Sequence, residues 1–203
     1  GSLTFIAYSP YSVKDDVTHS IDVSKDNEGN VTSANSVLII SDFEAGTTGQ
    51  KDLMWSTHTK DKTSNGSENN YPEASPTYAG VPILFNHALC RIKIAAKTTA
   101  DYSGFATYKI KKIEIANLKD NATLTVTDDI AIWSNPTTAL GTASGSDKVF
   151  DFFAPADVAN YVTLNSSAPS AVNYKNEETT GNGLLAIPQS LADVKLFVTY
   201  TMT

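Results

Sequence analysis

The sequence predicts an all-β protein made of antiparallel β-sandwich, and three observations carry that reading. Thr, Val, Ile, Tyr and Phe, which favour strands, are punctuated by Asn, Ser, Asp and Gly, which favour turns. Asp193–Thr201 (DVKLFVTYT) shows the clearest period-two pattern, with Val194, Leu196, Val198 and Tyr200 on one face. Lys195, Phe197, Thr199 and Thr201 occupy the other. Helical windows are scarce; the best is Ala154–Tyr161, short, with Pro155 in its first turn. No fixed-period repeat points to a propeller or solenoid.

Strands are expected in order from the N-terminus. Leu3–Tyr8 places Leu3, Phe5 and Ala7 on one face. Thr18–Val23 follows, then a turn at Asp26–Asn30, then the apolar run Val37–Ile40 and Asp52–Thr57. His58–Gly80 is polar, rich in Ser, Asn, Thr and Pro, and without period, so it reads as a long loop or linker. It sets the expected domain boundary: residues 1–80 as the remainder of an N-terminal β domain plus linker, and 81–203 as a C-terminal β-sandwich.

The most informative stretch is Val81–Lys97 (VPILFNHALCRIKIAAK). Phe85, His87 and Leu89 share one phase, and Ile92 and Ile94 take the opposite one. A one-residue slip moves every side chain to the other face, so a bulge or kink is expected near Cys90–Arg91, or burial on both faces. Tyr108–Leu118 repeats the signature, with a phase break between Ile110 and Ile113. Ala122–Thr127 turns Leu124 and Val126 inward, Ile130–Trp133 is short and apolar, and Lys148–Ala154 aligns Phe150 with Phe152. Asn135–Ser146 and Ser166–Gly183 read as loops. Tyr161–Leu164, Leu184–Pro188 and Asp193–Thr201 complete the strands.

Composition limits function. The chain has 203 residues, 41% hydrophobic and 18% charged, enough for one large β domain or two small ones. A chain this size hides roughly 70% of its unfolded surface. The net charge of -7 carries no Lys/Arg stripe, which argues against nucleic acid and anionic membranes. No stretch approaches the ~20 apolar residues of a membrane span. Gly1-Ser2 reads as a cloning or processing remnant, so the absence of a signal peptide here says nothing about export. Cys90 is the one cysteine, which rules out an intrachain disulfide. Within an apolar run it is expected as a buried small hydrophobe rather than a nucleophile.

A search for chemistry nominates no catalytic, metal or cofactor residue. The three histidines, His19, His58 and His87, are far apart in sequence, so a zinc site would have to be assembled entirely by the fold. His87, between apolar neighbours, is expected in the core or at an edge with a backbone partner. Aligning Gly29 with the invariant glycine of a calcium loop puts Ser24 first and Asn35 twelfth, and the match fails. Asp15-Asp16 and Asp128-Asp129 are adjacent pairs whose members face opposite ways on a strand, so neither is an acid/base dyad. Nucleophile-elbow, phosphate-cradling and dinucleotide motifs are absent. Trp55 and Trp133 read as core aromatics, with sugar-stacking platforms as the alternative.

Several segments together resemble the fimbrillin-like (Mfa-like) proteins of Bacteroidetes. They are TFIAYSPYS, DLMWS, VPILFNHALCRIKI, IKKIEIANL, and LLAIPQSL followed by VKLFVTYT. The most specific matches are Phe85-Asn86-His87-Ala88-Leu89 and Ile187-Pro188-Gln189. The resemblance spans nearly the whole chain, in the family's order. It implies two transthyretin-like sandwich domains and a lipoprotein precursor exported to the outer membrane. It also implies a pilus (fimbria) stalk, tip or anchor subunit that assembles by donating a strand to the next subunit. Against the family's usual extent, this chain is expected to be a central fragment with an incomplete N-terminal domain and assembly segments missing at both ends.

The sequence is therefore read as a non-enzymatic structural pilus subunit or adhesin at the cell surface. Its expected partners are other copies or related subunits, and a host or bacterial surface ligand. Val194, Leu196, Val198 and Tyr200 are the candidate strand-exchange or edge positions, because an open sheet edge beside apolar side chains accepts an added strand. The alternative is a surface carbohydrate-binding module using Trp55, Trp133 or loop tyrosines.

Overall fold

The computed structural model describes residues 3–25, 27–28, 31–46, 49–62, 83–127, 129–134, 136–137, 141–144, 147–175 and 183–203. Most of the linker expected over 58–80 lies outside these, as does part of the 26–30 turn.

The first strands are Leu3–Phe5 (β1), Tyr8–Ser9 (β2), Val17–Lys25 (β3), Val31–Glu44 (β4), Met54–Ser56 (β5) and Thr59–Lys62 (β6). Phe85–His87 (β7), Cys90–Ile92 (β8), Ile94–Ala96 (β9), Tyr108–Ala116 (β10), Asn121–Thr127 (β11) and Ile130–Ser134 (β12) follow. The rest are Thr142–Ser144 (β13), Asp147–Phe153 (β14), Val162–Thr163 (β15), Ser170–Val172 (β16), Leu184–Ala186 (β17) and Lys195–Met202 (β18). The chain is all-β and is not a closed barrel. The best helical window, 154–161, forms only a 3-10 turn, Val158–Asn160, whose Ala159 N–H is capped by Asp157. A second 3-10 turn, Tyr11–Asp16, had no sequence signal. The loops expected over 135–146 and 166–183 contain the short strands β13 and β16.

The chain divides into two compact units. The first comprises Gly1–Ser41, Asp52–Ala88 and Thr123–Ser134. Its sheets are β1-β6, β2-β5-β7 and β12-β11-β4-β3, and β3 and β4 pair in antiparallel register from Val17↔Ile40 to Lys25↔Val31. Period two holds where the sequence predicts it: Leu124 and Val126 are fully buried, with Leu38, Ile40, Leu53 and Trp55. On the edge strand β12 the outward Ile130 and Ile132 stay exposed. Buried Ser56 is satisfied locally, its Oγ accepting the Ala7 N–H at 2.6 Å and its own N–H donating to Ala7 O at 2.8 Å.

The second unit comprises Asp42–Lys51, Leu89–Ala122 and Asn135–Thr203. One sheet runs β13-β14-β10, with β15 beside β14 on the same side of β10 and β18 on the other. The pairs β8-β17 and β9-β16 supply side chains to the opposite side of the core. Between them lie Ile110, Ile113, Ile115, Phe150, Phe152 and Leu184. Phe152 and Tyr174 meet at 5.4 Å, and the Tyr174 hydroxyl donates to Gly46 O.

Both phase breaks are real, and the structure handles them differently. On β10 the partner of Ile110 is Tyr200 and that of Lys112 is Thr199, so Lys111 is an extra residue in a bulge. That bulge returns Ile113 and Ile115 to the side Ile110 faces, and all three are buried. The 81–97 stretch is not one kinked strand. It breaks at Ala88–Leu89, earlier than expected, into β7, β8 and β9, which pair with β5, β17 and β16. Ala88 is buried there, whereas Phe85 and His87 are exposed.

Two motifs acquire a structural reason. Ile187 is buried, and the Gln189 side chain pairs with the Lys119 backbone like a strand neighbour, accepting its N–H and donating to its carbonyl at 2.8 Å each. Gly183 opens β17 at φ 76°, where a Cβ would lie 2.4 Å from Ile92 O.

Asn117 ends β10 with φ 62°. Its amide donates to Asp147 Oδ1 at 2.8 Å and Asp193 O at 3.2 Å, and its Oδ1 accepts the Lys148 N–H at 3.0 Å. Asn117→Gly keeps the backbone conformation but loses those bonds, and should cost about 1–3 kcal/mol. Asn117→Ala should cost about 1 kcal/mol more, because it also pays the left-handed penalty. Urea unfolding of the two variants tests the ranking; equal midpoints to the parent would refute this role.

Candidate assembly edge

Strand β18 lies at the border of the second unit's main sheet. Among the described residues it pairs only with β10, from Tyr108↔Met202 to Ala116↔Lys195. Its outer row of backbone donors and acceptors is therefore the kind of edge to which another strand adds.

The register shows what its side chains face. Opposed residues of an antiparallel pair share a face. Tyr200 opposes Ile110, Val198 opposes Ile113, and Leu196 opposes Ile115. Those three isoleucines are core residues with at most 3% exposure, yet Leu196, Val198 and Tyr200 are 53%, 46% and 60% exposed. The cover that β8, β9, β16 and β17 give β10 and β14 does not reach β18. Met202, opposite Tyr108, extends the uncovered row at 63% exposed. Fully burying a large apolar side chain yields roughly 1.5–3 kcal/mol, so four half-exposed ones leave roughly 4 kcal/mol unrealised.

Polar tethers hold the strand at both ends. Lys195 Nζ reaches both Asp147 oxygens at 2.9 and 2.8 Å. Lys195 first, then Asn117, holds the Asp147 carboxyl below its usual range. At the other end Thr107 and Thr203 exchange N–H···O bonds at 2.7 and 3.1 Å. Inside, Lys112 sits between Glu114 and Asp151 at 2.6 and 2.9 Å, and Glu114 followed by Asp151 raises its pKa.

Of the four positions nominated from the sequence, Leu196, Val198 and Tyr200 stand in this open row. Val194 precedes β18 and packs partly buried against the core. Met202 was missed, although the same period-two count extended by one step would have found it. The uncovered state had no sequence signal, because alternation tells which residues share a face and not whether a second layer reaches it.

The residues weighed for chemistry are scattered. Among the described residues no group of three or more His, Cys, Asp or Glu converges on a point. His58 is buried, and its backbone N–H and Nδ1 both meet Asp129 Oδ1 at 2.6 Å. His87 takes the edge position of the two expected, exposed on β7, but pairs at 2.9 Å with the Asp52 side chain rather than with a backbone group. Cys90 is exposed rather than buried as a residue, because β8 carries it outward; its Sγ donates to Ala186 O, and local desolvation raises its pKa. Trp55 is buried and offers no sugar platform, and half-buried Trp133 donates its indole N–H to Ala88 O at 2.8 Å.

The second unit is thus a β-sandwich whose border strand carries an apolar row left uncovered. The chain matches the fimbrillin-like family over residues 1–203 and belongs to it. No curated protein matches it. A solved fimbrial protein from Bacteroides vulgatus ATCC 8482 shares its fold at TM-score 0.57 and 17% identity. The alignment covers 97% of this chain and 60% of that one, so this chain spans about 60% of the length of its structural relative. The family is one of cell-surface appendage proteins. No helix among the described residues is long and apolar enough to cross a membrane.

Asp120 gives a pH prediction. Burial, with the Glu44 charge adding, raises its pKa, and its Oδ1 has no partner among the described residues. A carboxyl with a raised folded pKa costs stability when ionised, and the cost fades as pH falls through that pKa. Asp120→Asn should therefore melt higher than the parent at pH 7, with the gap closing on acidification. A melting-temperature series across pH checks this; a constant gap, or a lower-melting variant at pH 7, would contradict it.

Proposed function

We propose that this chain is a non-enzymatic structural subunit or adhesin of a pilus, assembled by strand donation between subunits along β18. The supporting observation is the core-side row Leu196, Val198, Tyr200 and Met202, left open on a strand with only one partner among the described residues. An added strand would meet both needs at once, pairing the backbone edge and covering the row. Head-to-tail addition does not close, so it builds a filament. The incoming segment is expected to be extended, with apolar residues at alternate positions.

The finer setting follows from the family resemblance. In this reading the precursor is exported as a lipoprotein to the outer membrane of a Bacteroidetes cell, and its partners are further copies or related subunits. The two-domain division at residue 80 also belongs to the proposal. The change of unit between Ala88 and Leu89 supports it, while 42–51 and 123–134 each group with the unit on the other side of that division.

The test pairs assembly with folding. The full-length protein, trimmed by protease, is imaged by electron microscopy alongside Leu196→Glu/Val198→Glu. Wild type should form filaments, and the double variant should not while keeping its far-UV spectrum and melting temperature, because both side chains are already exposed. Filaments of equal yield from the double variant would sink the strand-donation reading, and a wild type that never polymerises would count equally against it.

A further inference from the structure

A cleft of about 400 Å³, lined by both polar and apolar surface, opens in the second unit between the segment 98–108 and the turn 163–167. That volume falls in the range of small-ligand sites, about 300–1,000 Å³. We propose that this cleft binds a neutral saccharide. The site meets the β18 border at Thr107 and Tyr108 but is a different surface from the β18 row, and binding there is read without assembly.

The lining chemistry selects the ligand class. Tyr102 and Tyr108 supply aromatic rings, in edge-to-face contact at 5.6 Å. Asp101 supplies a strong acceptor, Asn165 offers its side-chain amide donor, and most remaining lining residues are serines and threonines. Among the described residues no lysine, arginine or histidine lines the cleft, and Asp101 adds a negative charge. An anionic ligand would find repulsion and no counter-charge, and an apolar ligand would strand many hydroxyls. A neutral sugar satisfies both halves of the surface, offering hydroxyls to the acceptors and C–H faces to the tyrosines.

The walls are set before any ligand arrives. Asp101 Oδ1 accepts the Ser103 N–H at 2.9 Å, and Tyr102 O accepts the N–H groups of Phe105 and Ala106 at 2.8 Å each. Across the cleft, Asn165 Oδ1 accepts from Ser167 Oγ and Ala168 N at 2.9 Å each. Thr98 N donates to Asn165 O and Leu164 N to Tyr108 O, both at 2.9 Å, which ties the two walls together. A preorganised site spends little binding energy on ordering.

The test is an array of glycans ending in mannose, galactose, glucose or fucose, with matched sialylated and sulfated forms. The purified chain is applied, and the strongest neutral glycan is then titrated by calorimetry. Neutral glycans should bind, and their acidic counterparts should bind more weakly. Tyr102→Ala should weaken the Kd about tenfold, the scale of one aromatic contact. Asp101→Asn, at an exposed position that spares the fold, should also weaken it, whereas Leu196→Glu should leave it unchanged. The proposal is overturned if no neutral glycan binds at millimolar concentration, if acidic glycans bind better, or if both cleft variants keep the parental Kd.

Discussion

The pairing of β18 with β10 is the constraint on which the second unit's surface depends. Because that ladder is in register with Ile110, Ile113 and Ile115, the apolar face of β18 must point to the core side. The bulge at Lys111 maintains this. Without the extra residue, Ile110 and Ile113 would face opposite sides, and β18 would follow only part of the core. One inserted residue thus keeps three isoleucines buried and aligns a further apolar row beside them.

That row is held in place without being covered. Hydrophobic burial contributes little at β18, where Leu196, Val198, Tyr200 and Met202 are about half exposed or more. The ladder to β10 does most of the work, and the Lys195–Asp147 pair and the Thr107–Thr203 exchange secure its ends. Exposed ion pairs are individually weak, so the backbone ladder is the main term. A strand secured by its backbone keeps its side chains free for a partner. Tyr108 joins this border to the cleft, since it lines the cleft, opposes Met202 in the ladder and lies 6.2 Å from the Tyr200 ring.

Much of the fold was legible in the sequence. Alternation placed Leu124 and Val126, and Phe150 and Phe152, on buried faces, because a strand alternates strictly between core and solvent. The odd spacing from Ile110 to Ile113 announced a bulge. Other features were not legible, for physical reasons. The 81–97 stretch read as one strand because each short piece has the same composition, and only its three different pairing partners separate them. β13 and β16 hide in Ser/Thr-rich loops because three-residue strands carry too little period to detect. Cys90 was misplaced for a related reason: apolar neighbours in sequence do not define which face a residue takes once the chain breaks. The cleft left no motif at all, since its walls come from segments about 60 positions apart.

The sequence by itself determined the class: all-β, antiparallel, without a motif for catalysis, with an alternating last strand and family motifs along the chain. Those properties follow from local periodicity and residue chemistry, which survive reading in one dimension. The tertiary structure alone decided that the apolar face of β18 lies on the core side yet uncovered, and that Tyr102, Asp101 and Asn165 line one cleft. Both depend on where a second layer stops and on which distant segments meet, and neither quantity is encoded at any single stretch of the chain.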